Sequence, residues 1–150
     1  MPQIETEYIK TGKARYIFGD FPLESLHPYA FKAAAAAGCA GEEDKYWEMH
    51  DRLFANQTAL KPEELLRYGE AIGLDKTRLQ QCLETGKYDA LIRKMMAQGQ
   101  KAGVQGTPTL VIGVMEPDSK SVKVMKVVVG MQPFAAFKEA IDSALAGPGK

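Results

Sequence analysis

The chain has 150 residues, with 45% hydrophobic and 25% charged side chains, the balance of a folded globular domain. Lys+Arg and Asp+Glu both number 19, so the formal net charge is zero, and no Lys/Arg run offers the basic stripe that nucleic acid requires. No apolar run approaches the ~20 residues of a membrane span, and Met1-Pro2-Gln3-Ile4-Glu5-Thr6-Glu7 reads as neither a basic nor an apolar segment of an export signal.

In chain order, Pro2 to Lys10 reads as a helix with Ile4, Tyr8 and Ile9 on one side, broken by Thr11-Gly12-Lys13. Ala14 to Phe21 is rich in strand formers (Tyr16, Ile17, Phe18, Phe21), and Pro22 ends the pattern because it cannot continue a ladder. Pro28 suits a first helical position, which predicts a helix to Ala37 stopping at Gly38. The five alanines Ala33 to Ala37 favour a helix.

Further helices are predicted over Glu43–Ala55, Pro62–Ile72, from the N-cap Asp75 to near Gly86, and over Lys87–Gln100. Leu91, Ile92, Met95 and Met96 should face inward on the last of these. Two strands follow Pro108, Thr109–Gly113 and Val122–Val129, with Glu116-Pro117-Asp118-Ser119 as their turn. A final helix is predicted over Pro133–Leu145, and the tail Gly147-Pro148-Gly149-Lys150 should be loose. This is an α/β pattern interrupted by a block of helices.

The candidate chemistry is sparse. His27 and His50 lack partners at metal-ligand spacing, so capping or packing is expected of both. Tyr46, Trp47, Phe54, Met95 and Met96 read as core rather than as a cofactor site. The acidic residues show no paired-carboxylate pattern. There is no Cys-x-x-Cys, and the two cysteines, Cys39 and Cys82, lie far apart. Cys39 follows Gly38 at a predicted helix C-terminus, where the dipole disfavours a thiolate. From the residues alone, two separate buried thiols and a disulfide both remain open.

The remaining signal is Gly103-Val104-Gln105-Gly106-Thr107-Pro108-Thr109 leading into an apolar strand. With Pro2-Gln3-Ile4, Tyr8 to Lys13, Asp20-Phe21-Pro22-Leu23, His27-Pro28, Ala30 to Ala40, Lys45 to Asp51, Leu53-Phe54 and Gly73-Leu74-Asp75, it makes nearly the whole chain resemble the DsbA-like thiol–disulfide oxidoreductases. The resemblance implies a single thioredoxin-like fold holding an all-helical insertion over about 25–103. It implies a cis bond between Thr107 and Pro108, with Thr107 facing an extended protein or peptide substrate by strand addition. The alternative is a proline that only opens a strand. Because Cys39 and Cys82 match positions at which such sequences carry cysteine, it also implies a structural disulfide and an extracytoplasmic, oxidising compartment for the full-length protein.

The family's catalytic Cys-x-x-Cys sits at the head of the first long helix, which by this resemblance lies about ten residues before Met1. The first core strand is then missing with it; the chain is expected to be a fragment, the alternative being a gene that lost its redox motif, and to be redox-inactive alone. That strand would be central, between Ala14–Phe21 and Thr109–Gly113. Its absence predicts that the two flanking strands close up, or that a second copy fills the gap as a homodimer. The parent activity would be thiol–disulfide exchange on extracytoplasmic proteins, without metal or organic cofactor. Two other functions remain, a non-catalytic peptide-binding module of chaperone type and a fragment of a glutathione-dependent isomerase.

Overall fold

The computed structural model describes residues 2–116 and 121–147. They form two compact units: a sheet unit that runs to Phe18 and resumes at Val104, and a helical unit, Gly19–Gly103. Among the described residues the architecture is mixed α/β, seven α-helices and a two-stranded sheet, consistent with a thioredoxin-like fold.

The sheet unit begins with α1, Pro2–Ile4, which widens into a π-helical turn, Glu5–Ile9, marked by the Lys10 N–H bonding to the Glu5 carbonyl at 2.9 Å. Gly12, at φ +72°, turns the chain away. Strands β1, Thr109–Met115, and β2, Val122–Val129, pair antiparallel. The register runs from Thr109 opposite Val129 to Met115 opposite Val122. It slips at Ile112 and Gly113, which face Lys126 and Val124, so Met125 is the extra residue of a bulge in β2. Gly113 is required here, since a Cβ would lie 2.5 Å from the Lys123 carbonyl oxygen. Helix α7, Phe134–Ala146, packs with the first helical segment through Ile4, Tyr8 and Ile141, flanked by Ile112, Phe134 and Phe137.

The helical unit is organised around α2, Ala30–Ala40. Its small residues Ala33, Ala36, Ala37, Cys39 and Ala40 form one core with Met49 and Leu53 of α3 (Tyr46–Ala55), Leu65 of α4 (Pro62–Ala71), Leu74, and Leu79 of α5 (Lys76–Thr85). Small side chains let neighbouring helices approach closely, which is how four elements reach one core. A second cluster joins Phe31 and Ala35 to Ile92 of α6, Asp89–Lys101. The helix signals work locally as expected at α4 and α5. Pro62 opens α4, Asp75 Oδ1 accepts from the Arg78 N–H at 2.9 Å, and Gly86 closes α5 at φ +63°.

Several sequence expectations need correction. Ala14–Phe21 forms no strand, because strand-forming residues still need a neighbour to pair with, and among the described residues the sheet consists of β1 and β2. For the same reason the two flanking segments do not close up. Gly38 does not stop α2, which runs to Ala40. The Tyr88 ring lies against Gly38, 2.7 Å from where a Cβ would stand, so this glycine admits a neighbour rather than ending a helix. Helix α3 starts at Tyr46 rather than Glu43, since Asp44 takes a left-handed φ of 58°. Trp47 and Phe54 are about half exposed, because α3 turns Met49 and Leu53 to the core. Leu91 is also exposed while its neighbour Ile92 is buried. The expected turn at Pro117-Asp118-Ser119 and the tail Pro148-Gly149-Lys150 fall outside the described residues.

Candidate functional site

Helix α6 ends with Gly103 at φ +82°. Beyond it, Val104-Gln105-Gly106-Thr107-Pro108 carries the chain into β1. The Thr109 hydroxyl donates to the Gly106 carbonyl at 2.7 Å, closing a tight turn around the Thr107–Pro108 bond, which is cis. The Pro108 carbonyl accepts from the Gly130 N–H at 2.8 Å, which fixes the loop to the end of β2. Proline can stand here because the ladder asks it only for an acceptor. Thr107 and Pro108 are both exposed.

The turn holds its hydrogen bonds internally and presents the Thr107 side chain outward. From Gly103 to Thr109 there is no titratable side chain, so the loop contains no thiol, acid or base. Without a thiol, this turn cannot exchange a disulfide by itself.

The two sulfurs lie in the helical unit. Cys39 and Cys82 form a disulfide, with Cα atoms 6.0 Å apart and 43 positions of sequence between them. Cys39 is buried in the last turn of α2, and Cys82 lies within α5. Neither occupies a helix N-terminus, where partial positive charge would favour a thiolate. Glu42 Oε1 stands 3.7 Å from the Cys82 sulfur and is paired to Lys87 at 2.8 Å. A carboxylate in that position further disfavours a negative sulfur. The disulfide therefore serves to brace α2 against α5.

Two electrostatic features escaped the sequence reading. Burial pushes the Asp20 carboxyl up to about 6, partly opposed by the field of His50. In the sheet unit the Tyr8 hydroxyl donates to Asp142 Oδ1 at 2.7 Å, while Lys138 reaches Asp142 Oδ2 at 3.0 Å and the Tyr8 oxygen at 3.3 Å. The hydrogen bond from Tyr8, then that from Lys138, holds the Asp142 carboxyl below its usual range. Lys138 and Asp142, at i and i+4, were a visible signal for this network, whereas Tyr8 was not. His50 packs among rings, 4.6 Å from Phe54 and 5.2 Å from Trp47 between centroids, with Nδ1 3.0 Å from Asp51 Oδ1.

The mixed α/β architecture is consistent with a thioredoxin-like fold. A family model described as thioredoxin, Thioredoxin_4, matches residues 1–129, and the chain belongs to that family. Its relatives include proteins named as sodium–proton antiporters. One is the Na(+)/H(+) antiporter NhaA 3 of Salinispora tropica, 36% identical over 111 residues, which is 74% of this chain and 17% of the relative. Another is the Na(+)/H(+) antiporter NhaA 1 of Salinispora arenicola, 39% identical over 98 residues, covering 65% of this chain and 15% of the relative. The NhaA 1 antiporter of Mycobacterium sp. (strain KMS) is 33% identical over 99 residues, covering 65% and 16%. The chain thus matches a small part of each of these longer proteins. Among its own described residues, no helix is long and apolar enough to cross a membrane.

Proposed function

We propose that this chain is the peptide-facing part of a DsbA-like thiol–disulfide oxidoreductase that acts on extracytoplasmic proteins. Its helical unit is then an insertion, about 25–103, within one thioredoxin-like domain. The observation that carries the reading is Thr107, exposed beside a cis proline at the head of β1. An extended substrate segment would lie along this turn by strand addition, with Thr107 and Pro108 as its contacts. In such enzymes a thiolate attacks one sulfur of a disulfide and expels the other as a thiolate, and the mixed disulfide so formed is resolved when a second thiolate attacks it and expels its partner sulfur, in either direction of exchange. That pair of thiols is not within these 150 residues, so the first core strand and the Cys-x-x-Cys would have to come from elsewhere. The Cys39–Cys82 disulfide supports an oxidising compartment.

The test separates binding from chemistry. The 150-residue chain should give negligible insulin-disulfide reduction, and Cys39→Ser should leave that baseline unchanged. It should nonetheless raise the anisotropy of a labelled, cysteine-free unfolded peptide, with affinity reduced about ten-fold by Thr107→Arg. No binding, or binding indifferent to Thr107→Arg, would overturn the peptide-facing assignment. Suppression of the aggregation of an unfolded cysteine-free protein by the 150-residue chain would instead favour the chaperone-like module, and retention on glutathione resin the isomerase.

The relatives favour one further reading, in which the segment is a domain of a sodium–proton antiporter. Intact mass of the native gene product tests it: a species near 16.5 kDa rules out covalent attachment to a transporter.

A further inference from the structure

We propose that the Cys39–Cys82 disulfide is a guarded exchange site: external thiols reach it at the Cys82 sulfur, and the Glu42 carboxylate beside that sulfur holds off anionic thiols while admitting cationic ones.

The two sulfurs of this bond stand in different surroundings. Cys39 is buried, part of the apolar core that α2 builds with Met49, Leu65 and Leu79. Cys82 lies on α5 at the margin of that core and is half-buried. A thiolate arriving from solvent therefore meets the Cys82 sulfur. Its attack forms a bond to Cys82 Sγ, breaks the bond between the two protein sulfurs, and leaves the electron pair on Cys39 Sγ, which then takes a proton from water. A second external thiolate attacks the first external sulfur and releases Cys82 as a thiolate. Two external thiols are thereby oxidised to one disulfide, and the protein disulfide is reduced to two thiols.

The surroundings oppose departure as well as approach. A leaving thiol departs faster the lower its pKa. Cys39 sits in the last turn of α2, at the negative end of the helix and among apolar side chains, and both settings raise a thiol's pKa. On the approach side, Glu42 Oε1 stands 3.7 Å from Cys82 Sγ, so an incoming negative charge must come close to a carboxylate. The field of Glu42 is felt nearby: burial first, and then the Glu42 charge, push the Tyr88 hydroxyl up. Lys87 Nζ offsets this charge in part, paired to the same Glu42 oxygen at 2.8 Å. Removing either partner breaks the same ion pair, yet it changes the charge beside the sulfur in opposite directions. The inference uses residues of the helical unit alone and does not rest on the peptide-facing reading, so it stands or falls with Glu42 and not with Thr107.

The experiment follows reduction of the folded 150-residue chain by glutathione and by cysteamine, quenched by alkylation and read by mass, for the parent, Glu42→Gln and Lys87→Met. Glutathione carries two carboxylates and one ammonium besides its thiol, whereas cysteamine carries an ammonium alone. Circular dichroism checks that the variants fold. With glutathione, Glu42→Gln should speed reduction about five-fold and Lys87→Met should slow it about two-fold, both differences shrinking in about 1 M salt. With cysteamine, Glu42→Gln should give no acceleration. Glutathione trapped in the mixed disulfide should sit on Cys82, with Cys39 alkylated. Acceleration by both substitutions overturns the proposal, because loosening of the broken ion pair would then be the cause. So do glutathione rates unmoved by Glu42→Gln, equal acceleration with the two thiols, or glutathione trapped on Cys39. A rate independent of thiol concentration overturns it too, since exchange would then wait for the helical unit to open.

Discussion

The two units solve the burial problem differently. In the helical unit, α2 offers alanines on successive turns, and Met49, Leu53, Leu65, Leu74 and Leu79 close over them, with a disulfide fixing α2 to α5. In the sheet unit the buried apolar set is thin: Ile4, Tyr8, Val128, Ile141 and Ala144. Its hairpin leaves Val111, Val122, Val124, Val127 and Val129 exposed. The difference follows from the elements themselves. Helices satisfy their own backbone and need only cover one stripe, whereas a strand needs a neighbour for its backbone and a layer for its face. The self-sufficient unit is where the sequence places its covalent brace, and the unit with open backbone is where it places the exposed cis-proline turn.

This comparison can be broken most directly at the brace. Removing the disulfide by Cys82→Ser, or by reduction, frees a loop of 43 positions in the unfolded chain, a loss of about 4 kcal/mol in the chain-entropy account. Urea unfolding followed by the fluorescence of Trp47, the chain's single tryptophan, reads the helical unit. An unchanged midpoint would mean that the brace adds nothing to an already closed core. Next in size is Met49→Ala. Met49 is fully buried, and its loss should cost about 2–5 kcal/mol, toward the top of that range if the surrounding helices cannot collapse into the cavity. Ile141→Ala in the sheet unit should cost less, about 2 kcal/mol, because a sparsely covered site relaxes more easily. Equal costs from matched chemical unfolding would erase the proposed contrast in packing.

The helical unit was also the more legible in sequence. Pro62, Asp75 and Gly86 act through local backbone chemistry, so their positions alone place α4 and α5. Gly38 misled because its purpose is tertiary: it makes room for Tyr88, a residue distant in sequence. Trp47 and Phe54 share the helical period of the true core residues, and only the rotation of α3 decides which side is covered. In the sheet unit, Tyr16, Ile17 and Phe18 have strand propensity, but pairing is a relation between two segments and no single segment encodes it. The cis bond at Pro108 and the Cys39–Cys82 pairing came from likeness to a family, since neither spacing nor composition selects them. Asp20 carried no sequence signal, because its burial depends on the folded unit around it.

Asp20 gives the next prediction in size. Its folded-state pKa of about 6 exceeds the group's ordinary value of 3.8, so the folded state holds this proton more tightly than the unfolded chain does. Below that lower value both states are protonated and ionisation costs nothing. As the pH rises toward 6 the unfolded chain ionises first, and stability falls; above 6 the loss is complete. After discounting for solvent screening, the loss should be about 1–2 kcal/mol. Asp20→Asn removes the ionisation, so its stability advantage over the parent should be near zero at about pH 3 and fully present at about pH 7.5. A difference that does not change with pH would place the Asp20 carboxyl in solvent.

The smallest expected effect tests a helix end inside the well-covered unit. Lys45 Nζ donates to the carbonyl of Ile72 at 2.6 Å, at the C-terminal end of α4, where unpaired carbonyls concentrate negative charge. Gly73, at φ +80°, turns the chain immediately afterward, and its missing Cβ leaves room for the ammonium: a Cβ there would stand 3.0 Å from Nζ. The contact joins the residue before α3 to the end of α4, so it contributes both a charge-assisted hydrogen bond and a constraint between helices. Lys45→Met keeps the stem and removes the donor, and should cost about 1 kcal/mol, less at high salt. Lys45→Arg should recover part of that, limited by the larger guanidinium beside Gly73. If Lys45→Met matches the parent at low salt, the Ile72 carbonyl is served equally well by water, and the helical unit owes its order at this end to apolar packing alone.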